Sequence, residues 1–274
     1  MNIRGRLLSL ANPAIMGVLN VTPDSFYDGG KYDSDEAILA QTETMITAGA
    51  TFVDVGGYSS RPGADDISVD EEIRRISKAI KLIVKNFPET IISIDTFRSQ
   101  VAHVAVQEGA SLINDISGGG LDEGMSALVA RLQVPYVLMH MRGNPQTMNQ
   151  LSDYENIVKH VADYFHRKID HLHKLGVKDI IIDPGLGFAK KAEQSFKVLD
   201  ALNYLKIFNK PILVGISRKS MIWKTLKTTP DLSLNGTTCL NTFALLRGAN
   251  ILRVHDVREA SEVCRLISAI ATSY

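Results

Sequence analysis

The chain is poor in cysteine: Cys239 and Cys264 are the only two among 274 residues. Two thiols on helix-like segments form neither a disulfide framework nor a cysteine-based zinc site, and a reducing cytoplasm is the expected compartment. Charge of one sign is missing too. Lys plus Arg and Asp plus Glu are each 30, so the formal net charge is zero. That balance argues against nucleic acid or a membrane surface as the main partner. Any anion must be captured by a few placed groups. No stretch approaches the ~18 uninterrupted apolar residues that mark a membrane span. The opening residues, Met1 to Pro13, are too weakly apolar to read as a signal peptide. Repeats, low-complexity tracts and linkers are absent, and no G-x-G-x-x-G follows the first apolar run.

What is present is a large apolar fraction, 45% of the chain. Eight short apolar runs recur: Ile15–Leu19, Phe52–Val55, Ile91–Ile94, Leu112–Ile113, Tyr136–Met139, Ile180–Ile182, Ile212–Val214 and Ile251–Val254. Short and rich in Ile, Val and Leu, they read as strands buried on both faces of a parallel sheet. Longer amphipathic segments lie between them. Ser68-Val-Asp-Glu71 reads as a capping box, followed by Ile73, Ile76, Ile80, Ile83 and Phe87 on one helical face. Ile157, Val161, Phe165, Ile169 and Leu172 repeat the spacing, as do Phe196, Leu199, Leu202 and Leu205. Gly49, Gly109 and Gly176 stand where such helices should stop.

Eight strands alternating with helices predict a closed barrel or a doubly wound sheet. Polar residues follow nearly every strand, whereas a doubly wound sheet gathers its ligand groups at one switch point. The expectation is therefore a single (β/α)8 TIM barrel over residues 1–274. Such a barrel typically takes ~250 residues. The loops after strands one and two are expected to be mobile, given Gly29-Gly30 and Gly56-Gly57.

Barrel chemistry lies at the C-terminal ends of the strands. Those ends carry Asn20, Ser59-Ser60-Arg61-Pro62, Asp95-Thr96, Asn114-Asp115, His140-Met141-Arg142, Asp183, Ser217-Arg218-Lys219 and Arg253-Val254-His255. An Asp after a strand is usually a helix N-cap. Caps do not explain Asp95, Asn114 and Asp183, each the first polar residue after an apolar strand. Placed in a barrel mouth they need a ligand or partner. Together they suit a flat heterocycle rich in N–H and C=O groups. The cations Arg61, Arg218, Lys219, Arg253 and His255 form a separate group suited to phosphate. Arg218 and Lys219 sit at a helix start, where the dipole disfavours cations, which favours a functional role over a surface one. Gly118-Gly119-Gly120 reads as a flexible turn without the lysine of a nucleotide loop. His160, His166, His171 and His173 read as a solvated helix face, not a metal site.

At this point the residues resemble a known family. Asn20-Val-Thr-Pro-Asp-Ser-Phe26, Gly56-Gly57-Tyr58-Ser59-Ser60-Arg61-Pro62-Gly63 and Ser93-Ile-Asp-Thr-Phe-Arg98 are similar to successive signatures of the dihydropteroate synthases. Asn114-Asp-Ile116, Asp183-Pro-Gly-Leu-Gly-Phe188, Ser217-Arg-Lys-Ser220 and Arg253-Val-His-Asp-Val257 follow in order. The resemblance spans nearly the whole chain.

It implies a transferase that joins 6-hydroxymethyl-7,8-dihydropterin pyrophosphate to p-aminobenzoate and releases pyrophosphate. It implies Asp95, Asn114, Met139, Asp183, Gly215 and Lys219 as pterin ligands. Asn20, Arg61, Arg253 and His255 would hold pyrophosphate, with Mg2+ on Asn20. Phe26, Ser60, Arg61, Pro62, Phe188, Ser217 and Lys219 would form the p-aminobenzoate pocket. Asp95, Asp183, Lys219, Arg253 and His255 would carry the chemistry. A homodimer is expected, and the mobile loops suggest ordered binding: pterin pyrophosphate or free pyrophosphate would anchor Arg61 first, and the closed loops would then form the p-aminobenzoate pocket.

Three positions depart from the family pattern: Tyr58 where Glu is common, Ser60 where Thr is common, and Lys191 where Thr is common. Two other readings share the scaffold. A pterin-binding methyltransferase would keep Asp95, Asn114 and Asp183 but need no pyrophosphate ligands. A non-catalytic pterin carrier would need no reacting groups.

Overall fold

The computed structural model describes residues 1–22, 34–58, 66–144 and 146–271. Each of the eight apolar runs forms a parallel strand. They are β3 (Ala14–Asn20), β4 (Phe52–Gly56), β5 (Ile91–Asp95), β6 (Leu112–Asp115), β7 (Tyr136–Met139), β8 (Ile180–Asp183), β9 (Leu213–Val214) and β10 (Ile251–Val254). Their order is β8-β7-β6-β5-β4-β3-β10-β9. A parallel bridge between Ile182 and Ile212 joins the two ends of that order, so the sheet closes on itself. Nine helices are seen among the described residues: α1 (Ser34–Thr47), α2 (Val69–Asn86), α3 (Ser99–Glu108), α4 (Gly124–Leu132), α5 (Ile157–Lys174), α6 (Ala192–Asp200), α7 (Ser220–Thr225), α8 (Leu234–Leu246) and α9 (Val257–Ala271). The architecture is the expected (β/α)8 barrel.

Side chains alternate across each strand, and this divides the core in two. Val53, Val55, Ile92 and Ile94 face outward and pack with Ile76, Ile80 and Ile83 of α2 and their counterparts on other helices. Burying each such side chain contributes roughly 1.5–3 kcal/mol. Met16, Phe52, Leu112, Val137, Ile181, Leu213 and Ile251 face inward and fill the barrel floor. Ile3 joins them from an N-terminal hairpin, β1 (Asn2–Ile3) and β2 (Arg6–Leu7), which the sequence did not predict. Two-residue strands are too short for periodicity to reveal.

Ser68 Oγ caps α2 by accepting the Glu71 amide at 3.2 Å. The Glu71 carboxylate serves Arg74 and Arg75 at 2.6–2.8 Å. Gly49, Gly109 and Gly176 end their helices with positive φ. The helix expected over 196–207 divides: α6 ends at Asp200, and a 3-10 turn runs Leu202–Phe208. Residues three apart share a face in both helix types, so Leu202 and Leu205 stay buried.

The triple-glycine turn is not loose. Asp115 accepts the Ser117 and Gly119 amides and the Tyr136 hydroxyl, each at 2.7 Å. A Cβ on Gly118 would lie 2.1 Å from the Tyr164 hydroxyl. The expectation of a flexible turn is corrected to a packed one.

Candidate active site

The barrel floor sets the site by simple arithmetic. Two residues above Phe52, Leu112, Val137, Ile181, Leu213 and Ile251 stand Asp54, Asn114, Met139, Asp183, Gly215 and Arg253. Period-two alternation points all of them into the mouth. Asp95 stands one level above Ser93, paired with Gly56 and Asn114.

Arg253 lies at the centre. Its Nε donates to Asp54 Oδ2 and its Nη2 to Asp95 Oδ2, both at 2.6 Å. Among the described residues its Nη1 is unengaged. Asp54 Oδ2 also accepts Asn114 Nδ2 at 2.9 Å. That bond fixes the Asn114 amide through its nitrogen, and no hydrogen bond is spent on its carbonyl oxygen among the described residues. Asp54 Oδ1 is buried without a hydrogen-bond partner among the described residues. Burial raises Asp95 to about 7, although Arg253 pulls the other way. Burial works against the Arg253 charge, but Asp54 and Asp95 outweigh it and raise its pKa.

Asp183 and Lys219 form the other side. Burial raises the Asp183 carboxyl, against the pull of Lys219 and the Gly185 amide, which donates to Oδ1 at 2.7 Å. Burial lowers Lys219 to about 8, although Asp183 favours its charge. The Lys219 ammonium donates to Leu186 O at 2.5 Å and lies 4.6 Å from the centre of the Phe188 ring. Met139 and Ile116 belong to a small apolar cluster that also contacts Phe97 and Phe188. The mouth therefore combines carboxylates, an amide and two cations with an apolar patch.

His255 is exposed, and its Nδ1 is 3.1 Å from the buried Ser217 hydroxyl. Asn20 is half-buried at the end of β3. A Cβ on Gly56 would lie 3.5 Å from Asn20 Oδ1 and 3.7 Å from Asp95 Oδ2, so these two oxygens flank one backbone position. Phe26, Ser60, Arg61 and Pro62 lie outside the described residues, as does most of each loop expected to move.

Three expectations need correction. The cations do not form a separate group, because Arg253 is ion-paired to two carboxylates of the mouth. Arg218 is not placed for a ligand. It has φ +55° and grips Asp256 through Nε and Nη2 at 3.0 and 2.7 Å. His160 is not simply solvated: half-buried, its ring lies edge-on to His140, 5.4 Å between centres. His166, His171 and His173 are exposed as expected.

Asp54 was missed because it sits inside an apolar run. A carboxylate within a strand buried on both faces was itself the signal. Lys190 was also missed. It is 8% exposed and makes hydrogen bonds to His140, Gly185 and Phe188.

Two of the departures have local partners. Tyr58 lies edge-on to Phe97, and the Arg98 guanidinium sits 5.2 Å from its ring centre. Arg98 already pairs with buried Glu72 at 2.9 Å and with Asp66 at 3.0 Å, so it does not need a carboxylate at position 58. The Lys191 amide donates to Gln194 at the start of α6.

A family model described as pterin binding enzyme matches residues 16–255. The dihydropteroate synthase of a Synechocystis species is 42% identical over 259 residues, covering 93% of this chain and 89% of that protein. Among solved structures, the Yersinia pestis dihydropteroate synthase with a sulfonamide drug complex superposes with a TM-score of 0.93. It is 35% identical and covers 99% of both chains. The Xanthomonas albilineans dihydropteroate synthase with 4-aminobenzoic acid gives a TM-score of 0.91 at 36% identity, covering 97% of this chain and 96% of that one.

Proposed function

The chain belongs to the pterin-binding enzyme family, and from that premise we propose that it is a dihydropteroate synthase: a transferase that joins 6-hydroxymethyl-7,8-dihydropterin pyrophosphate to p-aminobenzoate. The observation that carries this reading is the mouth itself, where Asp95, Asn114, Asp183 and Lys219 surround Arg253. Residues 1–274 act as one catalytic domain in this reading.

The pterin lies flat in the mouth. Asn114 offers its carbonyl oxygen, and Asp183 and Asp95 accept ring N–H groups. Met139 packs against the ring, Gly215 leaves room beside Arg253, and Lys219 donates to a ring acceptor. Arg253 Nη1, His255, Arg61 and Asn20 face the pyrophosphate. The p-aminobenzoate site takes Phe26, Ser60, Arg61, Pro62, Phe188, Ser217 and Lys219.

The reaction breaks the bond between the pterin methylene and pyrophosphate oxygen. The arylamine lone pair forms the new C–N bond, and the amine then loses a proton. An arylamine is already a nucleophile, so no serine or cysteine is needed. Charge on the leaving group is stabilised by Arg253 and His255. The carboxylates of Asp95 and Asp183 stabilise positive charge developing on the pterin.

Mg2+ fits this site in a limited way. No group of three His, Cys, Asp or Glu suited to a metal occurs among the described residues. Mg2+ commonly keeps water and substrate phosphates with only one or two protein ligands. The Asn20 carbonyl oxygen, beside Asp95, suits that role. When bound, the ion would neutralise pyrophosphate charge.

No helix among the described residues is long and apolar enough to cross a membrane, and with only two cysteines a cytoplasmic location is the reading. A homodimer is supported by Leu226, Leu232, Leu246, Leu266 and Ile270, all exposed on or between α7, α8 and α9. Light scattering tests that assembly. Product identification by mass, after incubation with both substrates, tests the synthase. The methyltransferase reading would instead require methyl transfer from a folate.

A further inference from the structure

The loop after β8 carries Leu186, Phe188 and Lys190 between β8 and α6. It is an improbable piece of backbone. Gly185, Gly187 and Ala189 all have positive φ, at +64°, +82° and +49°. A Cβ on Gly185 would lie 2.1 Å from His140 O, so the loop presses against the end of β7. Such a conformation persists only when its surroundings hold it.

What holds it is a buried amine. Lys190 Nζ donates to Gly185 O at 2.9 Å, Phe188 O at 3.0 Å and His140 O at 3.3 Å, and meets His140 Nδ1 at 2.8 Å. Among the described residues no carboxylate is hydrogen-bonded to it. His140 is fully buried, and burial with Lys190 alongside pushes its ring down to about 2, so it is neutral. An ammonium can donate to Nδ1, and a neutral amine can accept from an Nδ1 proton. The contact survives in either state of Lys190. A second tether comes from Tyr154, whose hydroxyl donates to Ala189 O at 2.9 Å.

The loop in turn holds two parts of the mouth. Leu186 O accepts from Lys219, and the Phe188 ring lies under the same ammonium. Asp183 depends on the loop less, because its backbone is fixed in the ladder opposite Met139. We infer that Lys190 is a positioning residue: it fastens the loop after β8 onto His140 so that Phe188 meets p-aminobenzoate in register, while Asp95, Asn114 and Asp183 at the pterin end are set by the strands. This rests on the synthase reading for the identity of the second ligand.

The test compares wild type, Lys190→Met and Tyr154→Phe. Methionine matches the stem without a buried charge, and Tyr154→Phe keeps the ring but removes the tether. Calorimetry reads p-aminobenzoate binding with pyrophosphate and a non-reactive pterin present, and pterin binding separately. Steady-state rates read KM and kcat. In Lys190→Met the p-aminobenzoate Kd and KM should rise at least about tenfold, with pterin affinity within about threefold. Tyr154→Phe should shift the same ligand in the same direction by less. Equal losses for both ligands, or an unchanged p-aminobenzoate Kd in either folded variant, would overturn the inference. If Lys190→Met does not fold, an unchanged Kd in Tyr154→Phe alone overturns it. Wild type that binds both ligands without turnover contradicts the synthase reading, not the tether.

Discussion

Asp54 and Arg253, 199 positions apart in the chain, meet 2.6 Å apart beneath the barrel mouth. Asp54 also holds Asn114, so one buried carboxylate orients two residues that face the ligand. Removing it leaves the Arg253 charge with Asp95 alone. Asp54→Ala should cost about 3–5 kcal/mol, as expected for a broken buried pair. Urea unfolding of both proteins measures this, and a loss under about 1 kcal/mol would be the size of an exposed pair instead.

The same geometry separates Arg253 from His255. His255 is exposed and touches Ser217, whereas Arg253 supports Asp95 from within. His255→Ala should weaken pyrophosphate binding and leave a pyrophosphate-free pterin unaffected. Arg253→Ala should weaken both. Calorimetry with pyrophosphate and with the pterin alone distinguishes them; matching profiles for the two variants would count against the shared role of Arg253.

Asp95→Asn and Asp183→Asn should lose pterin binding while the fold survives, because an amide offers the wrong hydrogen-bond pattern to ring N–H groups. Unchanged affinity in both variants would rule out their placement on the ring.

Burial raises Asp95 to about 7 from an ordinary value of 3.8. The folded state therefore holds a proton that the unfolded chain releases in this window. Stability from this group is present below its ordinary range and is lost as pH rises through about 7. Wild type should lose stability relative to Asp95→Asn as pH rises from about 4 to about 7, and the difference should then level off. Parallel curves would mean that Arg253 keeps the carboxyl ionised throughout.

Gly185→Ala should be strongly destabilising, by more than about 3 kcal/mol, since the new Cβ meets the His140 carbonyl at 2.1 Å with φ at +64°. Thermal unfolding checks it, and a shift of a degree or so would mean that the loop can move away.

Much of this was legible in the sequence. The eight apolar runs became the eight strands, because buried parallel strands are apolar on both faces. Asp95, Asn114 and Asp183 stood out as polar ends of those runs, and all three face the mouth. Asp54 did not, because it lies within its run. The Arg253 pairing spans the barrel, and no local pattern encodes a contact between β4 and β10. Arg218 misled for a related reason: its partner Asp256 follows a different strand. Lys190 was missed because no local pattern shows that the loop after β8 folds over it and buries it.

The synthase reading is tested most directly by pyrophosphate release from pterin pyrophosphate, measured with and without p-aminobenzoate. The account predicts that release depends on p-aminobenzoate and equals the 7,8-dihydropteroate formed. Release at the same rate without p-aminobenzoate, or none with both substrates present, would contradict it.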